Sequence, residues 1–255
     1  MREYGLIGKV ISHSFSAKYF ADKFMRNNIT DATYSLFPMP NLDNLIEWVL
    51  SKPNINGFNV TIPYKEAIIP FLNTISDEAN KIKSVNVVAV TRTGNKILLD
   101  GYNTDVIGFE LAIRPLLLPC HTKALILGTG GASKSVEYVL KKLGMEIAFV
   151  SRNEKPGILK TYEQLNSADI SDFKVIINTT PLGTHPDTDE CPQIPYEHIT
   201  KQHLAFDLVY NPEQTLFLKK ALVHGAITQN GLSMLHNQAD SAWDIWSNYF
   251  KQANT

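Results

Sequence analysis

Residues 123–151 read KALILGTGGASKSVEYVLKKLGMEIAFVS, and they set the fold class. Lys123 to Leu127 is a short apolar run of the kind that forms a buried strand. Gly128-Thr129-Gly130-Gly131-Ala132 follows as a tight turn. Beyond it, Val136, Val139, Leu140 and Leu143 fall at i, i+3, i+4 and i+7, the spacing of one apolar helix face, and Gly144 is placed to end that helix. Residues 145–150 predict a second strand. Strand, glycine turn, helix and strand in this order open a doubly wound α/β domain.

The glycine turn has a chemical meaning in that context. A strand that ends in glycines and opens a helix presents backbone N–H groups and the positive end of the helix dipole to a phosphate. Gly128 and Gly130 permit close approach, while GTGGAS departs from GxGxxG at the third glycine. Alone, the turn also fits a tight strand-to-helix connection with no ligand. The end of the second strand reads Ser151-Arg152-Asn153, with no Asp or Glu to bond a ribose 2′-hydroxyl. An arginine there suits a 2′-phosphate, because its planar fork makes charge-assisted hydrogen bonds. Lys155 is placed to assist and Glu154 to oppose; by itself Arg152 also fits a solvated surface charge.

Upstream, residues 4–7 predict a strand, with a loop over 8–14. Ser16 is expected to cap a helix whose apolar face is Ala17, Phe20, Ala21 and Phe24. Asn41 is expected to cap another, carrying Leu42, Leu45, Ile46 and Val49. Strands are predicted over 55–61 and 84–91, with a Thr93-Gly94-Asn95 turn returning into 96–100. A helix over 104–114 ends before Pro115, and the character of the chain changes near residue 103. Further strands fit 175–178 and 204–208, and 232–250 forms a long final helix with Leu235, Ala239, Trp243 and Trp246 near one face.

Composition narrows the class. The 25 acidic and 24 basic residues leave a formal charge of -1, which gives no electrostatic reason to expect nucleic acid or an anionic membrane. Cys120 and Cys191 lack CxxC spacing and clustered histidines, so neither a disulfide framework nor a zinc site is expected, and no metal is assigned. Neither a signal peptide nor a membrane helix is predicted, and the expected setting is a reduced cytoplasm.

Polar clusters interrupt the apolar segments of the first half. His13-Ser14-Phe15-Ser16 puts two hydroxyls at a helix start, which suits a carboxylate and equally an ordinary cap. Lys65 follows a strand end, where a site residue or a solvated lysine fits. Asn86 interrupts an apolar strand, and a buried amide requires partners. Asp105 stands at a helix start, as a functional carboxylate or a plain N-terminal charge.

Taken together and in order, these clusters carry a resemblance. His13-Ser-x-Ser16, Asn59-Val-Thr-x-Pro-x-Lys65, Ser84-Val-Asn86, Gly101-x-Asn-Thr-Asp105, GTGGA, Asn178-Thr-Thr-Pro-Leu-Gly183, Asp207-Leu-Val-Tyr-Asn-Pro212 and Gly231-x-x-Met-Leu-x-x-Gln238-Ala resemble the shikimate dehydrogenase family from Ile7 to Ala239. Departures from the family's pattern are Ala17 for proline, Val87 for threonine, Thr129 for alanine and Thr184 for methionine.

The resemblance implies an α/β protein of two domains separated by a cleft that closes on a hinge. One is an N-terminal α/β substrate domain with a mostly parallel sheet, residues 1–103 plus 232–255, with the final helix packed back on it. The other is a Rossmann-like doubly wound NADP-binding domain, residues 104–231. It implies an oxidoreductase acting on a CH–OH group: NADPH-dependent, reversible reduction of 3-dehydroshikimate to shikimate, in aromatic amino acid (chorismate) biosynthesis. Lys65 is the implied general acid/base, paired with Asp105. Ser14 and Ser16 would bind the substrate carboxylate, Thr61, Lys65, Asn86, Asp105 and Gln238 the ring hydroxyls, and Tyr210 would line the pocket. Gly128, Gly130, Gly131, Ala132 and Ser133 would hold the pyrophosphate of NADP(H), Arg152 the 2′-phosphate, and Gly231 and Met234 would approach the nicotinamide. Ser151, Asn153, Thr179 and Leu208 complete the implied cofactor set. The partners are the small-molecule substrates, with the protein a monomer or homodimer. Alternative readings are a quinate or dual quinate/shikimate dehydrogenase using NAD, and a catalytically inactive cofactor-binding regulator.

Overall fold

The computed structural model describes residues 1–12, 14–94, 96–154 and 156–253; His13, Asn95 of the turn and Lys155 lie outside the described residues. The chain divides into two compact units, Met1–Ile107 with Gln238–Thr255, and Gly108–Asn237.

The first unit is built on β1 (Arg2–Gly8), β2 (Ala32–Pro38), β3 (Ile55–Val60), β4 (Thr74–Ile75), β5 (Val87–Thr93) and β6 (Lys96–Tyr102). They lie in the order β2-β1-β3-β5-β6-β4. The pairs β1–β2, β1–β3 and β4–β6 are parallel, and β5 runs antiparallel to both β3 and β6. Helices α1 (Ser16–Arg26), α2 (Leu45–Ser51), α3 (Tyr64–Ala67), α4 (Asp77–Ile82), the first residues of α5 (Thr104–Ile113) and most of α9 (Leu232–Ala253) complete the unit.

Three expectations shift locally. Phe15, not Ser16, occupies the N-cap of α1, because the Ser14 hydroxyl oxygen accepts the Ser16 N–H at 3.3 Å and turns the chain one residue earlier. The buried face of α1 is Tyr19, Phe20 and Phe24, with Ala21 exposed; Tyr19 is drawn inward by donating to Asp240 Oδ1 at 2.6 Å. Asn41 accepts from the Asp43 N–H at 3.2 Å instead of capping a helix, and α2 begins at Leu45. In addition, β5 starts at Val87, since the Val85 N–H goes to the Lys65 carbonyl at 2.8 Å and not to a strand neighbour. Strand β2, which the sequence pattern did not reveal, lies at the sheet edge.

The long C-terminal helix is anchored by an aromatic core. Ala239, Ala242 and Trp246 pack with Tyr4, Phe20, Phe24, Val87 and Ala89. The Trp246 indole donates to the Val88 carbonyl at 3.0 Å and lies over Gly57, where a Cβ would come within 2.2 Å of Nε1. Emptying such a site to alanine costs about 3–5 kcal/mol.

The second unit carries β7 (Lys123–Leu127), β8 (Glu146–Ser151), β9 (Lys160–Thr161), β10 (Val175–Asn178), β11 (Leu204–Asp207) and β12 (Ile227–Gln229) in the order β12-β11-β10-β7-β8-β9. Every pair is parallel. Helices α6 (Gly131–Lys142), α7 (Ser167–Asp172) and α8 (Leu216–Val223) connect them. From β7 the chain winds outward through β8 and β9, then returns to the other side through β10, β11 and β12, so the order reverses between β7 and β10. Ligands of such sheets bind beyond the carboxyl ends of the strands at this reversal. On α6, Val136, Val139 and Leu140 are fully buried, and Gly144 (φ +82°) ends the helix with the Met145 N–H bonded to the Leu140 carbonyl at 3.0 Å.

Candidate functional site

Strand direction gathers the polar residues of the first unit. Because β5 runs against β3 and β6, its start lies at the same sheet edge as the ends of β1, β3 and β6. Ser14 follows β1, Thr61 and Lys65 follow β3, Asn86 precedes β5, and Asp105 follows β6. Segments distant in sequence thus deliver their side chains to one rim.

At that rim the Lys65 ammonium lies 2.7 Å from Asp105 Oδ2, and both side chains are only partly exposed, 23% and 14%. The other carboxylate oxygen, Oδ1, accepts from Asn86 Nδ2 at 2.9 Å. Asn86 is buried, and its carboxamide oxygen accepts the Thr104 N–H at 2.7 Å, which ties it to the first turn of α5. Asn103 caps the same helix: its Oδ1 accepts the Val106 N–H at 3.3 Å and its Nδ2 donates to the Ser84 carbonyl at 2.9 Å. Asp105 is therefore held from both sides, and it points one oxygen at the lysine.

Two residues that the sequence reading did not single out extend this network. The Asn86 carbonyl accepts from Asn59 Nδ2 at 3.2 Å, and Asn59 Oδ1 accepts from the Tyr34 hydroxyl at 2.7 Å. Tyr34 stacks on Phe20 with ring centroids 4.2 Å apart. Burial raises the Tyr34 phenol well above its ordinary range, and a hydrogen bond with the Ser16 side chain acts the other way. Nothing in the sequence marks Tyr34, since it lies in the unrecognised strand β2. Asn59 was legible only as part of a motif. Gln238 is half-buried on α9, directly before the buried Ala239.

In the second unit, the turn after β7 opens α6 with Gly130 at the N-cap and no side-chain cap. A Cβ on Gly130 or Gly131 would meet nothing within 4 Å, so the outer side of the turn is open. The inner side is tight. Gly128 has φ +98°, and a Cβ there would stand 2.8 Å from Thr180 Cγ2 and 3.0 Å from Thr179 Oγ1. Uncapped helix N–H groups beside a glycine cradle fit a pyrophosphate. The Ser133 hydroxyl turns back to the Gly130 carbonyl at 2.7 Å, and Ala132 follows Gly131 in the first turn.

Ser151 ends β8, and Arg152 and Asn153 follow it, both exposed. Burial pushes the Tyr162 phenol up to about 12, with the nearby Arg152 charge opposing it. Glu154 accepts from Gln164 Nε2 at 2.8 Å, and these two residues line a cavity of about 400 Å³ with Ile158, Leu159 and Lys160. Thr179 donates from its N–H (2.9 Å) and its hydroxyl (2.8 Å) to the Leu127 carbonyl. The Leu208 carbonyl approaches Gly231 so closely that a Cβ there would lie 2.1 Å from it. Met234 is in the first turn of α9, half-buried. Tyr210 belongs to this second unit, and burial raises its phenol.

Comparison with known proteins gives a consistent picture. A family profile described as the shikimate dehydrogenase substrate binding domain matches residues 6–88. The chain is 36% identical over 269 residues to "Shikimate dehydrogenase (NADP(+))" of Caldanaerobacter subterraneus subsp. tengcongensis, covering 97% of this chain and 92% of that protein. Among solved structures, the chorismate mutase/shikimate 5-dehydrogenase fusion protein of Clostridium acetobutylicum superposes with a TM-score of 0.84 at 34% identity, covering 97% of this chain and 92% of that one. The shikimate 5-dehydrogenase of Thermus thermophilus, solved in complex with NADP(H) and shikimate, superposes with a TM-score of 0.83 at 27% identity, covering 97% and 94%.

Proposed function

The chain belongs to the shikimate dehydrogenase family, and from that membership and its site geometry we propose that it is an NADP-dependent oxidoreductase that interconverts 3-dehydroshikimate and shikimate. The observation that carries the reading is the Lys65–Asp105 pair at 2.7 Å, with Asn86 bonded to the second carboxylate oxygen.

In this reading the first unit takes the substrate and the second the dinucleotide. When bound, NADPH supplies the hydride that the ketone carbon accepts. As that carbon is reduced, its oxygen gains negative charge, and the Lys65 ammonium polarises it and delivers the proton from Nζ. Asp105 fixes the direction of the ammonium. The lysine is left neutral and regains a proton from water. In the oxidative direction the same nitrogen accepts the hydroxyl proton. Ser14 and Ser16 bind the substrate carboxylate at the start of α1, and Thr61, Asn86 and Gln238 bind ring hydroxyls with the catalytic pair. Tyr210 lines the pocket.

For the cofactor, Gly128, Gly130, Gly131, Ala132 and Ser133 hold the pyrophosphate, with Arg152 on the 2′-phosphate between Ser151 and Asn153. Thr179, Leu208, Gly231 and Met234 serve the nicotinamide end. Balanced charge and two cysteines without CxxC spacing support a cytoplasmic setting. No helix among the described residues is long and apolar enough to cross a membrane. The protein acts as a monomer or homodimer.

The test is loss of NADPH absorbance when 3-dehydroshikimate is added to the purified protein. Parallel reactions use NADH, and shikimate or quinate with each oxidised cofactor. Turnover confined to quinate and NAD would replace this reading with a quinate dehydrogenase. No turnover with any pair would leave a binding protein.

A further inference from the structure

Asp207 ends β11 with none of its surface exposed, and the proton transfer assigned above does not use it. Three donors converge on its carboxylate. Oδ1 accepts from Asn178 Nδ2 at 2.9 Å and from the Val209 N–H at 3.0 Å, and Oδ2 accepts from the Thr215 hydroxyl at 2.6 Å.

Each donor leads to a different turn at the carboxyl edge of the sheet. Asn178 ends β10, and its Oδ1 accepts both the Thr180 N–H at 3.0 Å and the Thr180 hydroxyl at 2.6 Å. Thr180 is the residue whose methyl stands 2.8 Å from the Cβ position at Gly128, so it sets how deeply the glycine turn can sit. Val209 accepts the Gly231 N–H on its carbonyl at 3.1 Å, and its neighbour Leu208 makes the close approach to Gly231. Thr215 caps α8. The turns after β7, β10, β11 and β12 are therefore linked to one carboxylate through one or two residues.

The strands beneath these turns are joined by parallel backbone ladders that end at Leu127, Asn178 and Asp207, and the side chains of Leu125, Ile176 and Phe206 are buried. The ladders reach only the first residue of each turn, where the Thr179 and Leu208 N–H groups bond to the Leu127 and Asn178 carbonyls, so the height and tilt of the turns beyond depend on other hydrogen bonds. A buried acceptor bonded to several donors is directional, because each donor left without it loses its bond in a medium that offers no water. An ionised carboxylate accepts on both oxygens and brings no competing hydrogen.

We infer that Asp207 is a positioning residue for the dinucleotide: through Asn178 and Val209 it holds the Gly128, Thr179 and Gly231 turns in the arrangement that receives NADP(H). The inference rests on the reading of the second unit as the NADP(H) site.

The test measures NADPH dissociation constants by nucleotide fluorescence on the full chain, with KM for shikimate at saturating NADP⁺ and a thermal melt beside it. Asp207→Ala raises the NADPH Kd by about tenfold or more, a loss of about one buried charged hydrogen bond, while KM for shikimate stays within about twofold. Asp207→Asn keeps an acceptor for Asn178 and Val209 and recovers most of the affinity. Thr180→Val keeps the shape but removes the hydroxyl's bonds to Asn178 and to the Leu182 N–H, and raises Kd about threefold with the melt lowered by only about a few degrees. If Asp207→Ala does not fold, Thr180→Val decides. Wild-type Kd in the folded variants overturns the inference, because a purely structural role lowers only the melting temperature. Wild-type protein that fails to bind NADPH overturns the cofactor reading itself, and the inference with it.

Discussion

Replacing Asn86 with alanine should damage the first unit and the proton-transfer pair together. The side chain donates to Asp105 Oδ1, accepts the Thr104 N–H and lies within hydrogen-bond distance of the Thr104 hydroxyl, and Thr104 has no exposed surface. Alanine leaves that N–H without its acceptor, at about 1–3 kcal/mol, and removes a hydrogen bond to a charged group, at about 1.5–3 kcal/mol. Water entering the small vacated space offsets part of this, so a net loss of about 3 kcal/mol is expected. All three tryptophans, Trp48, Trp243 and Trp246, belong to the first unit, so intrinsic fluorescence reports on it selectively. With a urea m-value of about 2 kcal/mol/M, the fluorescence midpoint should fall by about 1.5 M. At concentrations of urea too low to unfold the variant, kcat should still fall about tenfold, because Asp105 loses one of the two partners that orient it. An unchanged midpoint would refute the claim that this amide secures the start of α5. A lowered midpoint with wild-type kcat would show that Asn86 supports the fold but not the pair.

Other outcomes follow from the same geometry. Arg152→Ala should weaken NADPH binding much more than NADH binding in parallel titrations; equal weakening would mean the guanidinium does not meet the 2′-phosphate. Burial raises the Asp207 carboxyl from 3.8 to about 6. The native state therefore holds this proton where the unfolded chain has released it, and the stability it contributes is complete below pH 3.8 and lost as pH rises through about 6. Between pH 4.5 and 7, wild type should lose about 2 kcal/mol relative to Asp207→Asn, measured by circular dichroism in urea; parallel pH profiles would contradict this. His203 has the opposite sign. Burial lowers its pKa below 6.5, and its ring accepts the Thr200 N–H on Nδ1 at 3.0 Å, so the stability it contributes is present above pH 6.5 and lost as pH falls. His203→Gln should flatten that acid-side loss, and an unaltered acid limb would exclude the histidine as its source.

How much of this was readable in the sequence depended on whether the cause was local. The run from β7 to β8 was legible because strand, glycine turn and helix each carry their own periodicity, and Val136, Val139 and Leu140 are all fully buried as their spacing required. The strand pattern failed at β2, where four of seven residues are half-buried and the alternation is blurred. The helix cap at Ser16 was misplaced because Ser14 competes for the same turn. At the site, Lys65 and Asp105 were marked by motif order, whereas the Tyr34–Asn59 link is a contact between β2 and β3, which flank β1, and has no sequence spacing to betray it. Asp207 was marked only as the first residue of a motif; the fold shows three donors meeting on it.

Turnover by Lys65→Ala probes the ammonium that the whole proposal relies on. With the melt and NADPH affinity retained, kcat for 3-dehydroshikimate reduction should drop by roughly 10²–10⁴ while KM changes far less. A folded alanine variant that oxidises NADPH at the wild-type rate would show that the proton comes from elsewhere.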